Sequence, residues 1–260
     1  MILFVTEVKL CKTGDLKAML TGIIDILILK EAWGMAVVTV DFDGTLYQHS
    51  SVMTTLKVGK TMFTPKQWFY VIKDVVKGIV NRTKGERIDF QVLFLGSFFL
   101  QMKGKNMKEL HNFFISLVET GQQGINYDLV SRLVEHSGNG DLIVILSGAL
   151  QPFLEIFVQR LDIRADVIGT SLFYDKKGTC TGKIGKLNRG IEKVNRLKLW
   201  ISENNAEGKT VWAYADSESD IPLLEFADKA IVVRPSNALK KIAELRGWET
   251  FTSSRETKSI

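Results

Sequence analysis

The sequence predicts an α/β protein with a doubly wound parallel sheet and an inserted α-helical domain. Four apolar segments have the length of a strand and are bounded by turn residues. Near-continuous apolar strands suit a parallel sheet that is covered by helices on both faces. Helical patterns lie between the segments, as the connections between parallel strands require. The predicted strands are Ala36–Val40, Leu142–Leu146, Thr210–Ala215 and Lys229–Val233.

Four helices are predicted between and after these strands. The first has Pro152 in its first turn, where the fixed backbone of proline favours a helix. The chain is expected to end in a polar tail over residues 249–260. The predicted helices are Leu150–Leu161, Gly190–Glu203, Ser219–Phe226 and Ser236–Leu245.

A long interval between the first two strands contains no convincing strand pattern and several helical ones. Thr64, Pro65 and Gln67 form an N-cap, a first-turn proline and a capping-box partner. They begin an amphipathic helix. Its apolar face consists of Trp68, Val71, Ile72, Val75 and Ile79.

A second capped helix follows in the same interval. Asn106 and Glu109 form its capping box, and Gly121 ends it. Residues 88–102 are apolar nearly all round, which favours a helix buried inside a small bundle. We therefore predict a helical cap over residues 51–125. The apolar stripe of the second capped helix is Leu110, Phe113, Phe114, Leu117 and Val118.

The cap divides the predicted core into residues 35–50 and 126–248. Residues 1–34 match no part of the pattern, although their most apolar stretch could form a short helix against the core. Another interpretation is a misassigned start, because Lys30-Glu31-Ala32 can be encoded by a purine-rich ribosome-binding sequence shortly before Met35. We favour this interpretation and expect translation to begin at Met35.

Composition narrows the class of protein. Hydrophobic residues make up 45% of the chain and charged residues 24%, as in ordinary globular proteins. The two cysteines, Cys11 and Cys180, have neither the pairing of a disulfide scaffold nor the spacing of a zinc finger. Their scarcity is typical of a reducing compartment, and we expect a cytoplasmic protein. No apolar run approaches the roughly 20 residues of a transmembrane helix.

Positive charge is concentrated in the predicted cap. Residues 51–120 contain eleven Lys and Arg residues against five acids, whereas the whole chain has a net charge of +5. Such a segment can attract a phosphorylated small molecule, an anionic lipid surface or nucleic acid, or it can be a solvated helix surface. Nucleic acid is not an expected partner, because the charge is spread over several helices without a recognised binding motif.

Two carboxylates follow the first predicted strand. Asp41 and Asp43 stand two positions apart, so that they lie on one side of an extended chain. Ligands of open α/β sheets bind beyond the carboxyl ends of the strands, where this pair can converge on one site. An EF-hand is not expected, because its twelfth position would be Val52 instead of an acid. A purely structural turn is the remaining alternative.

Polar residues also follow the second and third predicted strands. Ser147 and Gly148 precede a helix, where a hydroxyl and N–H groups can cradle a phosphate, although serine is also a common N-cap. Asp216 and Asp220 would repel the first pair unless a cation is bound, and oxygen ligands favour magnesium. Helix capping is the alternative for them. Lys193 can bring a positive charge to the same end or be solvated.

Taken together, these segments resemble the four motifs of the haloacid dehalogenase superfamily of phosphatases. The helical insert after the first motif is similar to the phosphoserine-phosphatase-like branch, and the resemblance spans residues 36–248. It implies a Rossmann-like core with a helical cap that selects the substrate. The motifs are Asp41-Phe42-Asp43-Gly44-Thr45, Ser147-Gly148, Lys193 and Asp216-Ser217-Glu218-Ser219-Asp220.

The resemblance implies a catalytic role for several of these residues. Asp41 would be the nucleophile that forms an aspartyl-phosphate, and Asp43 would be the general acid and base. Ser147, Gly148 and Lys193 would hold the substrate phosphate. Lys193 would also neutralise charge on the nucleophile.

Magnesium is the cofactor that the resemblance implies. Asp41, Asp216 and the carbonyl group of Asp43 would bind the ion. Asp220 would support either the metal or Lys193.

The expected function is the magnesium-dependent hydrolysis of a phosphate monoester. An acid at position 43 is expected for phosphate esters, because dehalogenases of the superfamily, whose halide leaving group needs no proton, lack it. Phosphoserine phosphatases resembling this chain carry a glutamate soon after the first motif, whereas residues 47–51 contain no acid. Phosphoserine is therefore not the expected substrate. The alternatives are a phosphotransferase that uses the same intermediate and a non-catalytic protein whose basic cap binds a lipid surface or an anionic ligand.

Overall fold

The computed structural model describes residues 35–81 and 90–252. The predictions for residues 1–34 and for the last part of the polar tail lie outside these described residues. The strands are β1 (Val37–Val40), β2 (Leu142–Leu150), β3 (Asp166–Thr170), β4 (Leu172–Tyr174), β5 (Cys180–Ile184), β6 (Val211–Ala215), β7 (Lys229–Val233) and β8 (Glu249–Phe251). The helices are α1 (Ser51–Met62), α2 (Pro65–Val80), α3 (Phe90–Leu100), α4 (Met107–Gly121), α5 (Tyr127–Gly138), α6 (Gln151–Arg160), α7 (Ile191–Glu203), α8 (Ile221–Phe226) and α9 (Asn237–Arg246).

Six parallel strands form the central sheet, in the order β3-β2-β1-β6-β7-β8. Strand β1 is buried along its whole length, because both faces of the sheet are covered. Its last residue, Val40, pairs with Ile145 of β2 and Tyr214 of β6. The prediction of a doubly wound sheet is confirmed, and this register places the ends of β1 and β6 side by side, whereas β2 continues beyond them to Leu150.

Strand β8 corrects the predicted polar tail. Glu249–Phe251 extends the sheet at its edge, where Phe251 pairs with Val233 of β7. The segment is short and polar, because an edge strand with mostly exposed side chains does not need a continuous apolar run. Strand β3 was not predicted either, because Asp166 and Gly169 interrupt its apolar residues.

Helices α1 to α4 lie between β1 and β2 and occupy the segment that we call the cap. Both predicted capping boxes are confirmed: the Gln67 N–H donates to Thr64 Oγ1 at 3.3 Å, and the Glu109 N–H donates to Asn106 Oδ1 at 2.9 Å. The predicted burial of α3 holds for much of the helix, where Phe98 stacks on Phe113 of α4 with 5.8 Å between ring centroids. No helix among the described residues is long and apolar enough to cross a membrane.

Hydrogen bonds join the two segments that connect the cap to the core. The Gln48 N–H donates to the Gly124 carbonyl at 2.7 Å, and the Asn126 N–H donates to the Leu46 carbonyl at 3.0 Å. The Asn126 side chain adds a bond from Nδ2 to the Thr45 carbonyl at 3.1 Å. The two connections therefore run next to each other where they leave the core.

A chain of hydrogen-bonded side chains, which we call the polar relay, joins Asp141, His136 and Tyr214. Asp141 Oδ1 accepts from the Ala36 N–H at 2.8 Å, and Asp141 Oδ2 lies 2.7 Å from His136 Nδ1. His136 Nε2 in turn lies 3.0 Å from the Tyr214 hydroxyl. We expect Asp141→Ala to lower the free energy of unfolding by about 2 kcal/mol, because the substitution removes the acceptor of the Ala36 N–H and the partner of His136 Nδ1.

Urea unfolding of the Asp141→Ala variant measures this change. Glu203→Ala, which removes an exposed acid at the end of α7, is the control and should stay within about 0.5 kcal/mol of the unaltered protein. Equal losses in the two variants would show that the relay does not stabilise the fold.

Candidate active site

A buried lysine and two buried carboxylates form the centre of the site. Asp41 follows β1 directly and donates its N–H to the Tyr214 carbonyl at 2.9 Å. Lys193 Nζ lies 2.6 Å from Asp41 Oδ1 and 2.7 Å from Asp220 Oδ1. All three side chains are almost completely buried. Helix α7 brings Lys193 here, because Gly190 turns the chain with a φ of 54° just before the helix begins.

Asp216 joins Asp41 and Asp220 in this cluster, and hydroxyl groups bind both acids that follow strand β6. The Asp216 carboxylate accepts a hydrogen bond from Thr45 Oγ1 at 3.1 Å. The second oxygen of Asp220, Oδ2, accepts from Ser217 Oγ at 3.1 Å. Both acids are thus fixed in place by hydroxyl groups, while Lys193 neutralises only part of their charge.

The carboxylates of Asp41, Asp216 and Asp220 form a group that could hold a metal ion. One oxygen from each residue lies within 4.8 Å of the others. Gly44 borders the group with a φ of +86°, and a Cβ atom at this position would overlap Asp216 Oδ2. Hard oxygen donors converging on one point suit Mg²⁺ or a similar divalent cation.

Burial and charge together shift the pKa values of this group. Burial raises the pKa of Asp41 well above its ordinary value, with Lys193 opposing the shift. Burial also raises the pKa of Asp216. Burial alone would lower the pKa of Lys193, but the attraction of Asp220 and Asp41 outweighs it and raises the pKa above its usual range. Lys193 therefore stays charged, and a divalent cation would favour the ionised form of the acids.

The Asp43 carboxyl group points to the cap instead of the three-acid cluster. Its Oδ1 accepts from the Ser51 N–H at 2.7 Å, and its Oδ2 accepts from Ser51 Oγ at 2.6 Å. Ser51 is the first residue of α1. Burial raises the pKa of Asp43 to about 6, although the two bonds from Ser51 act in the opposite direction. The predicted metal contact through the main-chain carbonyl of Asp43 stays a prediction.

Ser147 lies within strand β2, and its predicted place at a helix N-terminus is wrong. The apolar run continues through Leu150, which pairs with Thr170 of β3, so α6 begins only at Gln151. The Ser147 side chain is buried and accepts from the Ala149 N–H at 3.1 Å. The strand, and not the helix, therefore positions this hydroxyl near the end of the sheet.

Gly148 lies between a residue of the cap and a residue of the core. A Cβ atom at position 148 would be 3.3 Å from Arg189 Cγ and 3.5 Å from Gln91 Nε2. Gln91 belongs to α3 of the cap, and Arg189 precedes α7. These two polar side chains were not among the predicted site residues.

Gly44 and Ser51 were also not predicted as individual site residues. Gly44 carries a recognisable signal, because an Asp-Gly pair directly after a strand is typical of a turn with positive φ. Ser51 carries a weaker one as a polar residue at the start of a helix. Gln91 has no sequence signal of this kind, because only the folding of the cap brings its side chain to the core.

The fold that carries these residues is that of a haloacid dehalogenase-like hydrolase. The model of that family matches residues 38–225, and the chain belongs to it. A histidinol-phosphatase of Neisseria meningitidis serogroup C (strain 8013) is 32% identical over 118 residues, which cover 44% of this chain and 52% of that protein. The matched segments span about half the length of the first curated relatives.

Solved structures share the fold. A protein of unknown function from Bordetella pertussis Tohama I aligns with a TM-score of 0.69 at 20% identity, covering 84% of this chain and 99% of that one. A substrate-bound phosphoserine phosphatase complex aligns with a TM-score of 0.53 at 14% identity, covering 80% of this chain and 90% of that one.

Proposed function

We propose that the chain is a magnesium-dependent phosphatase that hydrolyses a phosphate monoester through an aspartyl-phosphate. The observation that carries this proposal is the contact of Lys193 with Asp41, which supplies a buried carboxylate with a fixed positive charge at the end of the central strand. The nearby carboxylates of Asp216 and Asp220 support the binding of a cation at the same point. The named phosphatase among the relatives supports the same class of reaction.

In the first step, a carboxylate oxygen of Asp41 attacks the phosphorus of the ester. The bond between phosphorus and the leaving oxygen breaks, and Asp43 donates its proton to that oxygen. The raised pKa of Asp43, about 6, suits this exchange because the group can hold a proton near neutral pH. Asp41 then carries the phosphoryl group as an acyl phosphate.

In the second step, water attacks the phosphorus of the acyl phosphate. Asp43, now ionised, takes a proton from the water as the bond to Asp41 breaks and inorganic phosphate leaves. Lys193 holds Asp41 and balances the charge of the phosphoryl oxygens in both steps. Ser147 and the Gly148 backbone would bind those oxygens.

Magnesium would be held by Asp41, Asp216 and the Asp43 carbonyl, with Asp220 supporting the ion or Lys193. When bound, it would neutralise the negative charge of the carboxylates and of the phosphate. A Cβ atom at position 44 would overlap the Asp216 carboxylate. The absence of a side chain at Gly44 therefore leaves Asp216 free to take its place in the proposed metal site.

The Gly44→Ala variant is expected to lose turnover by about 100-fold or more while remaining folded. Its Cβ atom would displace the Asp216 carboxylate, and a misplacement of about 1 Å at a reacting centre can cost this factor. Initial hydrolysis rates and the Mg²⁺-induced shift in melting temperature measure the effect. Gly208→Ala is the matched control, because Gly208 also has a positive φ, of 76°, but a Cβ atom there meets nothing within 4 Å.

Screening the purified protein against phosphorylated metabolites, with Mg²⁺ present, tests the proposed reaction. We expect release of inorganic phosphate from at least one monoester. Each assay is repeated with an added acceptor alcohol. A new phosphate ester in place of inorganic phosphate would identify a phosphotransferase, and no turnover with any ester would contradict both functions.

The cap is expected to determine which ester is preferred. Replacing residues 52–120 with the cap of a related protein, which leaves Ser51 bonded to Asp43, should change the ranking of substrates but leave the formation of the aspartyl-phosphate intact. Gln91 provides the physical reason, because it carries a polar side chain from the cap to Gly148. A folded chimera with an unchanged substrate profile would contradict this expectation.

A further inference from the structure

Helix α2 presents an apolar stripe to solvent. The side chains of Phe69, Ile72, Val76 and Val80 are 63%, 59%, 50% and 74% exposed. Single exposed apolar residues are ordinary on protein surfaces. These four recur at intervals of three and four residues and therefore form one continuous face of the helix, which we call the α2 stripe. The sequence predicted an apolar face on α2, but of the predicted stripe only Val71 is fully buried.

The α2 stripe borders an apolar groove between α1, α2 and α3. The groove has a volume of about 500 Å³, and Ile72 and Val76 line it together with side chains of the neighbouring helices. Its lining also includes Leu56 of α1, Phe90 of α3 and Trp68 of α2. The stripe is thus part of a larger apolar surface.

Three lysines lie along one flank of the α2 stripe. Lys66, Lys73 and Lys77 are all exposed, and at 100° per residue they fall on one side of the stripe. The acid of this helix, Asp74, lies on the side away from the stripe by the same spacing. The surface therefore combines an apolar band with a parallel band of positive charge.

We propose that α2 docks the protein onto an anionic lipid surface. Helices that lie in a membrane interface have an apolar face and flanking lysines, and the two bands contact the acyl boundary and the anionic headgroups. A second copy of the chain with its α2 antiparallel to the first fits this surface less well, because a two-fold axis would then bring the two rows of lysines together. Docking is independent of the proposed hydrolysis, since none of these residues belongs to the carboxylate cluster.

Co-sedimentation of the full chain with vesicles tests the proposal. We expect binding to vesicles of phosphatidylglycerol and phosphatidylcholine, weaker binding at high salt, and little binding to pure phosphatidylcholine. Equal partitioning onto the two kinds of vesicle, or onto neither, would overturn the proposal.

Two variants locate the contact. I72E/V76E places charge in the stripe and should weaken binding to the anionic vesicles by about tenfold or more. K66Q/K73Q/K77Q should weaken it by about 100-fold, because each lysine near such a surface contributes a factor of about five. The lysine variant changes only exposed side chains, so it remains informative if the stripe variant does not fold.

Matched changes on α9 serve as controls. Leu245 is 88% exposed there, and Lys240 and Lys241 are exposed as well. L245E and K240Q/K241Q should leave vesicle binding within about twofold of the unaltered chain. Melting temperatures of all variants verify folding. Equal losses on α9 and α2 would contradict docking through α2, as would a stripe variant that dissociates a dimer in ultracentrifugation without changing vesicle binding.

Discussion

Replacing Asp41 by asparagine is expected to lower phosphatase turnover by at least about 10³-fold. An amide oxygen is a poor nucleophile and cannot form the acyl phosphate. The fold should persist, because Lys193 keeps its ion pair with Asp220 at 2.7 Å. Steady-state rates with a phosphate ester and the melting temperature measure the two effects. Hydrolysis at the rate of the unaltered protein would exclude Asp41 as the nucleophile.

The Asp43→Asn variant is the informative contrast. It retains the proposed nucleophile but cannot donate or accept the proton, so the phosphorylated protein should form from esters with good leaving groups and then accumulate. Intact-mass analysis after rapid acid quenching detects the added phosphoryl group. Accumulation in Asp41→Asn instead would reverse the roles of the two acids.

Removing divalent cations should abolish turnover, and adding Mg²⁺ back should restore it. Three carboxylates surround one lysine at this site, and a phosphate dianion cannot approach them without a compensating positive charge. We expect a loss of about 100-fold or more in excess EDTA, whereas EDTA saturated with Mg²⁺ should have no effect.

Thermal unfolding tests metal binding independently of turnover. Mg²⁺ should raise the melting temperature of the unaltered chain, because a ligand that binds only the folded state stabilises it. The same addition should have little effect on Asp216→Asn, which loses one of the converging carboxylates. Full activity in EDTA together with an unchanged melting temperature would contradict a metal centre.

The sequence predicts best the features that local pattern controls. Asp41 and Asp216 follow near-continuous apolar strands, and the parallel sheet then brings them together. The end of β2 was predicted too early, at Leu146, because Ser147 and Gly148 resemble a helix cap although the strand pairing continues to Leu150. Local pattern does not determine which long-range pairs form.

Tertiary contacts control the remaining features. Gln91 reaches Gly148 only through the fold of the cap, and no spacing in the chain indicates this approach. For α2, the sequence shows which residues are apolar, whereas the packing of the neighbouring helices decides that Val71 is buried and Ile72 is 59% exposed.

The paired connections of the cap have a consequence for how such proteins acquire new domains. Gln48 and Gly124 are hydrogen-bonded neighbours, although the whole cap lies between them in the sequence. Inserting a folded segment at this point leaves both neighbours in place, and the entropy of closing a loop grows only slowly with its length. The cap can therefore be replaced during evolution by a segment of a different size. Proteins with the same core can then differ in substrate preference without changes to the sheet.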